Sequence, residues 1–130
     1  MKQILAVAII SLSLTGCASI QSMIPSFWDD NQSKAIVDVR QSVVQLNCEQ
    51  EHAPQVKRIK DNLQWFQLYS DSKGKRQQDV LKLVAPMQET VDDFYKRSTE
   101  KQGTKTYCEI KKKVMLLQSE KAASAVLGRF

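Results

Sequence analysis

The sequence predicts an all-α protein, an antiparallel up-down four-helix bundle closed by one disulfide. Three observations predict it. Four segments carry apolar residues at alternating steps of three and four, which is the repeat of a helix face and not of a strand. Short polar stretches with Pro or Gly separate them, so successive helices run antiparallel. In such a path the end of the first helix lies beside the start of the fourth, and Cys48 and Cys108 stand at those two places.

The first helix starts at Ser26 or Asp29, since either side chain can cap it. Ile36, Val39, Val43 and Leu46 form its stripe, and it ends around Asn47 and Cys48. Its β-branched content, Val37 and Val44 included, is a local preference for strand that runs against this spacing. The second helix has Pro54 in its first turn, where a missing N–H costs nothing. Val56, Ile59, Leu63 and Phe66 form its stripe, it stops near Ser70, and Asp71-Ser72-Lys73-Gly74 is a turn signal.

The third helix carries Val80, Val84, Met87, Val91 and Phe94. Pro86 lies inside this pattern and cannot donate to the carbonyl of Lys82, so a kink is expected there. The stripe keeps its phase across Pro86, which favours one bent helix over two, and Gly103 marks the end. In the fourth helix Tyr107, Ile110, Val114 and Leu117 are the expected core stripe. Ala122, Ala123 and Ala125 follow, and Gly128 closes it.

Ahead of the bundle, residues 1–16 have the build of a secretory leader. Lys2 gives a positive start, and residues 4–14 are apolar apart from Ser11 and Ser13. That run is shorter than the roughly 20 residues a bilayer span needs. It leads directly into Leu14-Thr15-Gly16-Cys17. These four residues resemble a bacterial lipobox, the signal peptidase II site of lipoproteins. The resemblance implies cleavage before Cys17, diacylglyceryl on its sulfur and an N-acyl chain, commonly palmitate, on the new amine. Two or three acyl chains hold a protein on a membrane where one does not. In lipoproteins of this type an Asp after the cysteine favours the inner membrane. Ala18 and Ser19 stand here, so the resemblance implies the periplasmic side of the outer membrane. The expected organisation is a leader over 1–16, a lipidated tether over 17–26 and a helical domain over 27–130. The tether reaches at most about 30 Å when extended.

The chain has a formal net charge of +5. An exported basic protein has lipopolysaccharide or peptidoglycan as anionic neighbours, and the implied address argues against nucleic acid. With Cys17 taken by lipid, Cys48 and Cys108 remain as a pair, which an oxidising compartment makes a disulfide. Two thiols and the single histidine, His52, are too few for a zinc site. No cofactor is expected beyond the lipid on Cys17.

Topology sorts the charged and aromatic residues between the two ends. The end where the tether enters collects Lys73, Lys75, Arg76 and Arg129 with Phe27, Trp28, Trp65, Phe66, Tyr69 and Phe130. Such rings either close the base of a core or sit at a membrane–water interface. The far end collects Lys57, Arg58, Lys60, Lys96, Arg97, Lys101, Lys105, Lys111, Lys112 and Lys113, diluted by Glu49, Glu51, Glu100 and Glu109. This is either a solvated face or a patch for an anionic ligand, with Lys96, Arg97, Lys101, Lys105 and Lys111 to Lys113 as its candidate residues. Trp65, Leu68 and Tyr69 point away from the stripe of the second helix, which is therefore apolar on two faces. That Trp-Leu-Tyr group has the composition of a protein-binding hot spot.

No catalytic constellation is legible. His52 reads as a surface residue of a polar turn, and Asp92 and Asp93 are adjacent on a helix and point in different directions. No Gly-rich phosphate loop or G-x-S-x-G elbow is present. The expectation is a non-enzymatic lipoprotein that binds an envelope protein or assists its assembly. In general build it resembles the pilotins that deliver secretin subunits to the outer membrane. The alternatives are an exclusion or inhibitor lipoprotein of a phage or mobile element, and an accessory bound to cell-wall glycan.

Overall fold

The first described helix begins with a side-chain cap. In the computed structural model, which describes residues 29–128, Asp29 has extended backbone and its Oδ1 accepts the Gln32 amide at 2.9 Å. This satisfies one of the amides that a helix start leaves without partners. Of the two expected caps Asp29 is thus used, while Ser26 lies outside the described residues. Helix α1 spans Asp30–Val44, ending a little before the expected Asn47 and Cys48, and Leu46 just beyond it is still buried.

Helix α2 spans His52–Ser72 with Pro54 in its first turn. The helix runs two residues into the expected turn, which tightens to Lys73 and Gly74. Gly74 has φ 85°, a left-handed value that costs a residue with a Cβ and costs glycine nothing. A 3-10 turn over Lys75–Gln77 leads into helix α3, Gln78–Glu100.

Helix α3 is one helix that passes through Pro86, as the unbroken phase of its stripe requires. The Pro86 carbonyl accepts from Thr90 Oγ1 at 3.0 Å and from Gln118 Nε2 of the last helix at 3.3 Å. Gly103, expected to mark the end of α3, lies three residues beyond it. The helix stops at Glu100 and Lys101 is extended; among the described residues only Gly74 has positive φ. Gly103 answers a need for space instead: a Cβ there would lie 3.3 Å from Tyr107 Cδ1. Helix α4, Lys105–Leu127, is capped by Thr104, whose hydroxyl accepts the Tyr107 amide.

The four helices form an up-down bundle in which each packs against its neighbours in sequence and α1 packs against α4. Every expected core residue of α1, α2 and α3 is buried in one cluster. Helix α4 departs from expectation. Cys108, Met115, Ser119, Ala122, Ala123 and Val126 face inward. Ile110, Val114 and Leu117 are 59%, 39% and 64% exposed, and Tyr107 is half-buried.

The reason is geometric. A disulfide joins Cys48 to Cys108, with Cα atoms 5.6 Å apart, and Cys108 is fully buried. At about 100° per residue, Met115, Ser119, Ala122 and Val126 lie within roughly 40° of Cys108, whereas Ile110 and Leu117 lie roughly 160–180° away. The cross-link and the small inward side chains choose one face of α4, and the larger aliphatic stripe is left on the other. The bulky Phe66, Phe94 and Met87 fill the same cluster that the small residues of α4 line.

Candidate functional site

The end of the bundle where α1 starts is built around Asp29. Tyr69 donates its hydroxyl to the Asp29 carboxylate at 3.1 Å, and Lys73 Nζ lies 3.0 Å from it. Burial alone would raise the Asp29 pKa. The Gln32 amide, Lys73 and Tyr69 outweigh that and leave it below the ordinary value. Beneath them Gln32 Nε2 donates to Ser70 Oγ at 2.9 Å and to Gln77 Oε1 at 2.8 Å, all three residues being buried. This polar plug ties α1, the end of α2 and the 3-10 turn together.

Trp65, Leu68 and Tyr69 thus divide by role. Tyr69 is half-buried and holds the start of α1. Trp65 stacks on it, with ring centroids 5.2 Å apart and planes 4° from parallel, yet remains 52% exposed. Leu68 is 64% exposed. Trp65 also lines a shallow groove between α1 and α2 with Asn31, Lys34, Ala35, Asp38 and Asn62. Phe66 is buried in the core, as a ring closing the base would be; Phe27, Trp28 and Phe130 lie outside the described residues, as does Cys17.

The far end is knitted by the disulfide, by Gln55 and by Gln102. Gln55 exchanges hydrogen bonds with the backbone of Asn47, and Gln102 bonds to the backbone of both Gln50 and His52. His52 is not the surface residue its polar neighbours suggested. It is fully buried, packs edge-on against Phe94 with centroids 5.9 Å apart, and places Nε2 3.1 Å from the Cys48 carbonyl. A carbonyl can only accept, so Nε2 carries the hydrogen. Nδ1 faces Gly103 and has no hydrogen-bond partner among the described residues. The lone histidine is therefore a core residue beside the cross-link.

The cationic candidates are largely engaged within the chain. Asp93 accepts from Lys111 at 2.8 Å and from Arg97 at 3.0 Å. These two bonds lower the Asp93 pKa to about 2 against desolvation. Lys105 pairs with Glu49 at 2.7 Å, and Lys112 Nζ donates to the Leu46 carbonyl beyond the end of α1. Lys96, Lys101 and Lys113 are exposed and have no ion pair among the described residues. Of the residues of the expected anionic-ligand patch, Arg97, Lys105 and Lys111 thus stand in local ion pairs, with the three free lysines between them.

No group of three or more His, Cys, Asp or Glu that could hold a metal ion occurs among the described residues, and none of the described helices is long and apolar enough to cross a membrane. Asp92 and Asp93 serve separate partners, Lys60 on α2 and the Lys111–Arg97 pair, as their differing directions require. The surface that sequence reasoning missed is the outward stripe of α4. The signal for it was present in Cys108, which could not be cross-linked inward while Ile110 and Leu117 also faced inward. Comparison with family models, with curated proteins and with solved structures finds no match to this chain.

Proposed function

We propose that this chain is a non-enzymatic lipoprotein, anchored through Cys17 on the periplasmic side of the outer membrane, that binds an envelope protein and holds it near the bilayer. The observation that carries the reading is Leu14-Thr15-Gly16-Cys17 placed directly after a short apolar leader. The disulfide supports it. Once Cys17 is set aside for lipid, the two remaining cysteines of the chain are joined to each other, as suits an oxidising compartment. Trp65 and Leu68 are the contact residues on α2: both are exposed, on a helix whose other face already fills the core. Internal pairing of Arg97, Lys105 and Lys111 favours a protein partner over an anionic glycan. Anchoring raises the effective concentration of such a partner at the membrane without any added contact.

The test has two parts. Cells expressing the full chain are labelled with palmitate and fractionated, and photo-crosslinkers are placed at positions 65 and 68. Label in the outer-membrane fraction that is lost in Cys17→Ser, with a discrete protein adduct from either position, is the expected result. A soluble, unlabelled periplasmic protein would end the anchor reading. Adducts confined to lipid would end the adaptor reading.

A further inference from the structure

Helix α4 has two apolar faces and the bundle uses only one. Ile110, Val114 and Leu117 follow one another at steps of four and three on the outer side, two turns or about 10 Å of helix. Lys121 continues the same line one turn further on, and Lys113 lies on its flank. Both lysines are exposed and have no ion-pair partner among the described residues, unlike Lys105 and Lys111 of the same helix. The nearest uncommitted countercharge on α4 is Glu120, roughly 90° round from the stripe.

We infer that the outer face of α4 docks an acidic amphipathic helix of a partner protein. The stripe fits apolar anchors repeated at three and four residues, the way a helix lies against an apolar face. The free lysines set the sign of what flanks those anchors. Two other occupants fit less well. A second copy would bring two lysine-bearing faces together. The bilayer is at the wrong end: the stripe begins beside the disulfide, whereas the chain toward Cys17 leaves at Asp29, next to Tyr69 and Ser70 at the opposite end. The inference deepens the adaptor reading by giving the chemistry of its partner, and rests on that reading both for the binding of a protein and for the anchor at Cys17 that sets the bilayer at the other end.

The test places photo-crosslinkers at positions 110 and 117 of the full chain in its native host and maps the crosslinked peptide by mass spectrometry. The expected adduct lies on a segment of another protein with apolar residues at three- and four-residue steps and Asp or Glu beside them. Reversing both charges, Lys113→Glu with Lys121→Glu, lowers its yield about fivefold while circular dichroism and the disulfide stay unchanged. Adducts to lipid, to a second copy or to a basic segment would overturn the inference, as would no adduct or a yield indifferent to the charge reversal. Adducts from position 65 without any from 110 or 117 would overturn it and leave the adaptor reading standing. The mapped acidic adduct without palmitate labelling would support it while removing the anchor.

Discussion

Asp93 is held by two cations from two helices, and this makes it the residue whose titration is most visible. Lys111 and Arg97 hold its folded-state pKa at about 2, below the ordinary carboxylate value. The sign follows from that depression: its contribution is complete above about pH 4 and is lost as pH falls toward 2. Thermal melts from pH 5 to pH 2 should therefore show the advantage of the parent over Asp93→Asn shrinking with acidity. Because Asp93 is partly exposed, the advantage at pH 5 should stay under about 1 kcal/mol. Gln32 is the contrasting case, a buried side chain with two short internal bonds. Gln32→Leu should cost about 2 kcal/mol, read as a lower urea midpoint with an unchanged slope. Neither role was legible in the sequence, because both depend on residues brought together from different helices. His52 was misread for the same reason: its neighbours in sequence are polar, while its neighbours in space are Phe94, Gly103 and the cross-link.

At the scale of the element, the helices differ in how far their spacing determines their orientation. In α1, α2 and α3 the largest aliphatic stripe is also the buried one. In α4 two stripes compete and the smaller side chains win. A pair of substitutions separates the faces. Met115→Ala should destabilise by about 2–5 kcal/mol, the cost of a core cavity, and Leu117→Ala by less than about 0.5 kcal/mol. Equal effects in chemical denaturation would return Leu117 to the core. The two surfaces offered for binding, Trp65 with Leu68 and the α4 stripe, share one origin. Each is the second apolar face of a helix whose first face the bundle has already covered.

For the whole molecule, the disulfide is the one covalent statement of topology. It closes a long loop, from the end of α1 to the start of α4, and should contribute about 4 kcal/mol in chain-entropy terms. Replacing Cys48 and Cys108 by Ser should lower stability by about that amount with helix content retained, measured by urea titration under circular dichroism. A thiol assay on the unreduced chain should find neither cysteine free. The sequence by itself determined the number of α-helices among the described residues, their order, the inward faces of three of them and the meeting of Cys48 with Cys108. Those follow from apolar spacing and short connections, which act within a helix or between neighbours in the chain. Only the tertiary structure decided the rotation of α4, the burial of His52, the polar plug at Gln32 and the pairing of Arg97, Lys105 and Lys111 with carboxylates at the basic end. Periodicity records where apolar side chains lie around a helix, but not which of two stripes will be covered. That choice belongs to the volume left by the other helices and to the cross-link that pins Cys108 inside.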